Sequence, residues 1–217
     1  MTTAVLLNWK RPYHMPTIVA ALRAVPIIEE IIIWDNSGRL PDVDGATVIQ
    51  SKENVGTYGR YLAAQQAAHR TIYTQDDDYV VSNVMGLWGR FNGTKIVAGL
   101  SPGHYRTQAH KTPFIQLGWG SFHRREWMED SVRKWVACYG VDDVLKSKFD
   151  RIYTVLAGVE KHDPVMGQFT ALREDDGRPS DRTDKAIWVQ PGHYKRVEEA
   201  VARAVELRDS IVEPGSL

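Results

Sequence analysis

The sequence predicts an α/β fold, a mixed central sheet flanked by helices. Three observations carry the prediction. Short apolar, β-branched runs alternate with amphipathic helical stretches along the N-terminal half. The runs end in polar loops, as strands do when a ligand site forms beyond their carboxyl ends. Hydrophobic residues make up 43% and charged residues 25%, a globular balance that excludes a disordered chain.

Ala4–Asn8 is a short apolar run before Lys-Arg-Pro and reads as a buried strand. Pro16 suits a first helical position, and Met15, Ile18, Val19, Leu22 and Val25 share one helical face. Ile27–Trp34 is rich in isoleucine and runs into Asp-Asn-Ser-Gly, a strand and then a turn. Thr47–Gln50 is a short strand, Thr57–Arg70 an alanine-rich helix, and Thr71–Gln75 a strand leading into three aspartates. Farther on, Lys95–Leu100 and Pro113–Leu117 read as strands, and Arg125–Ala137 and Asp150–Ala157 as helices. Val197, Ala200, Val201, Ala204 and Ile211 mark the core face of a last helix.

The 217 residues predict one domain, large enough for a core without disulfides. Lys plus Arg and Asp plus Glu both number 27, so the formal net charge is 27 − 27 = 0. A neutral chain lacks the broad basic surface of a non-specific nucleic-acid binder. Cys138 is the one cysteine, which excludes an internal disulfide and a cysteine zinc cage. Apolar runs are too short to span a bilayer, and no signal peptide is visible. The expectation is a soluble, cytoplasmic domain.

The triplet Asp76-Asp77-Asp78 is the most informative motif. Adjacent carboxylates repel, and a hard divalent cation, Mg²⁺ or Mn²⁺, relieves the repulsion together with substrate phosphates. The competing reading is a solvated acidic turn. Asn54-Val55-Gly56-Thr57-Tyr58-Gly59-Arg60 leads into a helix, where glycines admit an anion and Arg60 can reach it. It matches neither the dinucleotide fingerprint nor the P-loop. Asp35 and Asn36, after the isoleucine strand, are candidates for a nucleobase or ribose, or form a plain turn. Ser37 stands where a phosphatase nucleophile loop needs its second acid. Tyr79-Val80-Val81-Ser82 replaces the phosphate loop that follows the paired acids of phosphoribosyltransferases.

Asp150 precedes the apolar run Ile152–Ala157 and is either a helix cap or a carboxylate facing the reacting sugar. His193, before the last helix, is a candidate Mn²⁺ ligand beside Asp76 and Asp78, with His104 as its rival. Trp119, set between Gly118 and Gly120, either stacks on a sugar ring or fills the core.

In order along the chain, VLLNWKRP, IIIWDNSG, NVGTYGR and TIYTQDDDYVVS resemble the GT-A glycosyltransferases, which use nucleotide-sugar donors. The pattern is most similar to the exostosin-like α-N-acetylhexosaminyltransferases. That resemblance implies that Arg11, Asn36, Asn54, Arg60 and Asp76–Asp78 bind uridine diphosphate and Mn²⁺, with Asp78 the closer metal ligand. Gly118-Trp119-Gly120-Ser121-Phe122 resembles the family's Gly-Ala-Ala-Phe element. Asp150 matches the aspartate of its Glu-Asp pair, with Phe149 in place of the glutamate. The expected protein is a single GT-A-like domain over residues 1–217, with a nucleotide-sugar-binding half at 1–100 and an acceptor half at 101–217. The implied activity is metal-dependent transfer of a hexosyl or N-acetylhexosaminyl group from a UDP-sugar. The acceptor, a glycan, protein, lipid or modified nucleobase, and the stereochemistry stay open. Two other classes compete with this reading. A sugar-phosphate nucleotidyltransferase needs a Gly-x-Gly-Thr-Arg loop, which NWKRPYHMP is not. A degenerate domain that binds nucleotide or glycan without turnover does not need the acid triplet.

Overall fold

The structure, a computed structural model, describes residues 1–108, 111–174, 177–180, 183 and 190–212. Among them, nine strands and seven α-helices follow one another along the chain. The strands are β1 (Thr2–Asn8), β2 (Ile28–Asp35), β3 (Thr47–Gln50), β4 (Thr71–Gln75), β5 (Tyr79–Val81), β6 (Ile96–Leu100), β7 (Ser121–Arg124), β8 (His162–Met166) and β9 (Phe169–Ala171). The helices are α1 (Met15–Arg23), α2 (Gly59–Ala64), α3 (Val84–Arg90), α4 (Pro102–Gln108), α5 (Arg125–Tyr139), α6 (Asp143–Ala157) and α7 (His193–Val212).

The main sheet has the order β3-β2-β1-β4-β7-β6-β8, and β5 pairs with β9 in a small antiparallel ribbon. β3, β2, β1 and β4 are parallel, and β7 runs antiparallel to both of its neighbours. From β1 the chain moves outward to β2 and β3, then returns to place β4 on the other side of β1. This reversal opens a crevice beyond the carboxyl ends of β1 and β4. Asn8–Arg11 and Asp76–Asp78 therefore meet there.

Alternation along the central strands sends side chains into two cores. Ala4 and Leu6 of β1 and Ile31 and Ile33 of β2 join α1 and α3 on one face. Val5 and Ile32 join α2, α5, α6 and α7 on the other. β1 is buried along nearly its whole length, as a central parallel strand must be. Among the described residues, no helix is long and apolar enough to cross a membrane.

Four expectations need correction. The helix read over Thr57–Arg70 begins as a 3-10 turn at Gly56–Tyr58 and ends at Ala64. Beyond it, Glu30 Oε2 accepts from Ala68 N at 2.8 Å and Thr3 Oγ1 from His69 N at 3.3 Å, so side chains take the amides a longer helix would use. Pro113–Leu117 is not a strand: Pro113 has no N–H, and Ile115 N bonds to Thr154 Oγ1 of α6 at 3.3 Å. The helix expected from Asp150 starts at Asp143, where the Asp142 carboxylate caps it by accepting from Leu145 N at 2.8 Å. Ile211 is 41% exposed, and the buried stripe of α7 is Ala200, Ala204 and Leu207. The sequence reading did not include β5, β7, β8, β9, α3 and α4. β8 carries Pro164 and lacks a clean alternation, and β9 has three residues.

His123 on β7 is fully buried, its ring 5.4 Å from that of Tyr153. Burial, aided by the nearby Arg60 charge, pushes its imidazole down to about 3. The folded chain thus keeps His123 neutral where the unfolded chain, with a value of 6.5, takes up a proton. This contribution to stability is complete above the unfolded value and is lost as pH falls from there toward about 3, at about 1.4 kcal/mol per pH unit. Urea titrations across that window should show a shallower decline for His123→Gln than for the parent; equal slopes would refute the assignment.

Candidate functional site

The centre of the crevice is Arg60, fully buried on α2. Its Nη2 donates to Asp76 Oδ1 and its Nη1 to Asp150 Oδ2. Burial opposes the guanidinium charge, but Asp150 and Asp76 more than restore it, and Arg60 is held firmly protonated. Gly59, just before it, has no Cβ because Trp34 packs against that spot.

Asp76 presents a side chain that is 46% exposed, while its backbone N–H bonds to Gly118 O at 2.8 Å. A Cβ on Gly118 would collide with the Asp76 carboxylate, so that glycine admits a protein carboxylate. Asp150 follows a kink in α6: Lys148 has φ −130° and ψ 24°, outside the helical region. The kink sits two residues before Asp150, on the turn that faces the crevice. Asp150 is pushed up to about 6, chiefly by burial and also by Asp76, against the pull of Arg60. Among the described residues, neither its buried Oδ1 nor Arg60 Nε has a hydrogen-bond partner.

Arg11 is nearly buried and its donors are engaged by the protein. Nη1 donates to Asp77 Oδ1 at 2.9 Å, Nε to Glu174 Oε1 at 3.2 Å and Nη2 to Ser180 O at 2.6 Å. Tyr13 Oη also donates to Glu174. Burial is the main influence raising Asp77, with Asp76 adding to it. Arg11 thereby ties the acidic loop to the segment after β9.

Asp35 and Asn36 hold loops together. Asp35 Oδ1 accepts from Asn8 Nδ2 at 2.6 Å and Ser37 Oγ at 2.6 Å, and Oδ2 from Arg39 N and Leu40 N, both at 2.7 Å. Burial alone would raise Asp35, but these bonds hold it below the usual carboxylate range. Asn36 accepts from Val55 N at 3.0 Å and donates to Gly56 O at 3.1 Å, stitching this loop to the next. Asn54 is exposed and closes a turn by accepting from Gly56 N at 2.9 Å.

Trp119 belongs to an aromatic wall. It stacks on Phe169 at 5.9 Å with an interplanar angle of 7°, and His104 lies 4.7 Å away. Phe169 lies on β9, too short to stand out in the sequence. His104 Nδ1 is 2.6 Å from Ser101 Oγ, and burial and then Arg151 push the ring's pKa down.

His193 opens α7 and sits among cations. Lys148 Nζ donates to its Nδ1 at 3.0 Å. Burial, then Lys148, Arg151 and Arg196, push the imidazole down to about 4. Burial, Arg196 and Arg151 push Lys148 down to about 8. The expected grouping of His193 with Asp76 and Asp78 does not form: among the described residues, no three His, Cys, Asp or Glu side chains converge to hold a metal ion. The neighbouring positive charges repel a dication at His193. Two carboxylates, Asp76 and Asp78, remain at the end of β4. Their oxygens are of the donor type that a hard ion takes.

No protein-family model and no curated protein matches the sequence. Solved structures match by fold. S. aureus TarS superposes with a TM-score of 0.58 at 11% identity, covering 97% of this chain and 42% of that one. This chain thus spans less than half the length of that protein. A complex of TarS 1–349 with UDP-GlcNAc gives 0.57 at 8% identity, over 97% of this chain and 71% of that one. Glucosyl-3-phosphoglycerate synthase from Mycobacterium tuberculosis, with Mn²⁺, UDP and glucosyl-3-phosphoglycerate, gives 0.55 at 12% identity, over 95% and 80% of the two chains. The mixed sheet flanked by helices is GT-A-like, as the sequence predicted.

Arg60→Met should destabilise the chain by about 3–5 kcal/mol at neutral pH, because the largely buried Asp150 carboxylate loses its cation, while the half-exposed Asp76 turns to water. The loss should shrink below about pH 6, where Asp150 takes up a proton. Denaturant titrations at neutral and acidic pH check both statements, and a loss independent of pH would contradict the pairing.

Proposed function

We propose that the chain is a metal-dependent glycosyltransferase that moves a hexosyl or N-acetylhexosaminyl group from a UDP-sugar to an acceptor. One observation carries the reading: a fully buried arginine holds Asp76, from the acidic loop, beside Asp150, from α6, at the carboxyl edge of a GT-A-like sheet. The complexes of fold neighbours with UDP, UDP-GlcNAc and Mn²⁺ support UDP as the carrier and Mn²⁺ or Mg²⁺ as the ion.

In this reading Asp76 and Asp78 hold the ion and the donor's diphosphate. The bound ion supplies Lewis-acid stabilisation of the charge on the leaving nucleotide. Arg11 acts through Asp77, fixing the acidic loop in place. Arg60 sets the spacing of Asp76 and Asp150. The Asp150 side chain, partly exposed, serves the reacting sugar. As a carboxylate it either accepts the acceptor's proton or stabilises positive charge at the anomeric carbon. Asp35, Asn36 and Asn54 shape the loops that receive the nucleoside, and Trp119 with Phe169 gives a sugar ring an apolar face. Residues 1–100 carry the donor site, and residues 101–217 supply the acceptor side.

A thermal-shift panel of nucleotides and nucleotide sugars, with Mn²⁺, Mg²⁺ or chelator, tests the donor site. A ligand at about a hundred times its Kd adds about 2.7 kcal/mol. The expected result is a metal-dependent shift with a uridine nucleotide that Asp78→Ala abolishes; no shift with any donor overturns the proposal. Once an acceptor is found, Asp150→Asn should lower kcat by at least about 100-fold. Wild-type turnover should fall as pH drops through about 6, since both roles need the ionised carboxylate.

A further inference from the structure

Next to Asp150, contributed by α6 and α7, lies a group of cations for which the donor reading has no use. Lys148, at the kink, is 4% exposed, and its ammonium meets the neutral His193 ring. Arg151 lies 4.4 Å from the Phe114 ring centroid, which fixes its guanidinium against an apolar surface. Arg196, one turn into α7, donates from Nη2 to Pro191 O at 2.8 Å and packs over Gly192. The charges acting on Lys148 are Arg196, Arg151 and Asp150, and those acting on His193 are Lys148, Arg151 and Arg196. Among the described residues, the carboxylates acting on this group are Asp150 and, on Arg151, also Asp76, and both are already paired with Arg60.

Like charges gathered this closely raise the energy of the folded chain unless an anion joins them. The group lies at the start of a 20-residue helix, whose N-terminal dipole also favours negative charge. His193 Nδ1 accepts the lysine proton, so in the neutral ring Nε2 carries the hydrogen and is a further donor. Three formal cations suit a dianion better than a single carboxylate.

We propose that Lys148, Arg151, His193 and Arg196 form a subsite for a phosphate group carried by the acceptor. This proposal rests on the donor site described above: Asp150 adjoins both, so the phosphate anchors the acceptor while Asp150 meets its hydroxyl. No covalent chemistry occurs at the subsite. Its task is to orient the acceptor and to select against uncharged ones.

The test uses the whole chain and two probes, UDP with Mg²⁺ and inorganic phosphate, in isothermal titration calorimetry. Arg196→Glu is exposed and should fold, which circular dichroism verifies, and Lys148→Met keeps the buried stem while removing the charge. Phosphate should bind the UDP·Mg²⁺-saturated protein. Both variants should weaken it by about tenfold or more while UDP affinity stays within about twofold. Phosphate that competes with UDP, together with variants that weaken both, would make the cluster part of the donor's diphosphate site and overturn the proposal. Phosphate binding that is absent, or unchanged in both variants, while UDP binds normally, overturns it as well. Failure of UDP to bind at all overturns the donor reading instead, and with it the acceptor role. That result is distinguishable because the effect of the variants on phosphate alone is read separately.

Discussion

A buried guanidinium needs anions, and this requirement organises the crevice. Arg60 cannot be neutralised at any accessible pH, and it lies wholly within the protein. Leaving it unpaired there would cost several kcal/mol. It therefore draws in one carboxylate from the loop after β4 and another from α6, segments 74 residues apart in the sequence (150 − 76). The two acids are set side by side by a shared counter-charge, and neither is used up by it: Asp76 keeps a large exposed face, and among the described residues Asp150 Oδ1 has no hydrogen-bond partner.

The same economy recurs around the site. Arg11 joins Asp77 to Glu174 and the backbone at Ser180, so the acidic loop is tied to these residues after β9. Asp35 and Asn36 satisfy the amides of two adjoining loops. These polar side chains stabilise irregular backbone that no sheet or helix ladder supports. Loop shape at the carboxyl edge thus depends on a few charge-assisted bonds, and their loss would be felt across the crevice. Toward α7, Lys148, Arg151 and Arg196 gather about His193. The crevice is therefore polarised, with carboxylates toward β4 and cations toward α7.

Legibility in the sequence varied along the chain. β3 and β4 were readable to the residue, and β1, β2, α1 and α5 to within a few residues, because each buries a regular apolar pattern. Pro113–Leu117 misled because it is apolar yet meets a helix side chain in place of a neighbouring strand. The acid triplet stood out since adjacent carboxylates are rare without a purpose. Asp150 stood out as an acid before an apolar helical run and again through a resemblance, whereas Phe169, Lys148 and Arg151 carried no local signal.

The GT-A-like reading came from a resemblance; local pattern and chemistry by themselves determined the α/β sheet, the placing of the acidic loop at its carboxyl edge, and the candidate residues there. They did so because strand burial and turn chemistry are read over a few neighbouring residues. Tertiary structure alone decided which candidates meet. It joined Arg60 to both Asp76 and Asp150, turned Arg11 toward Asp77 and Glu174, and set His193 among cations and apart from the acids. Those pairings follow from charge balance between segments distant in the chain, a quantity that exists only once burial has lowered the local dielectric and made each unpaired charge costly.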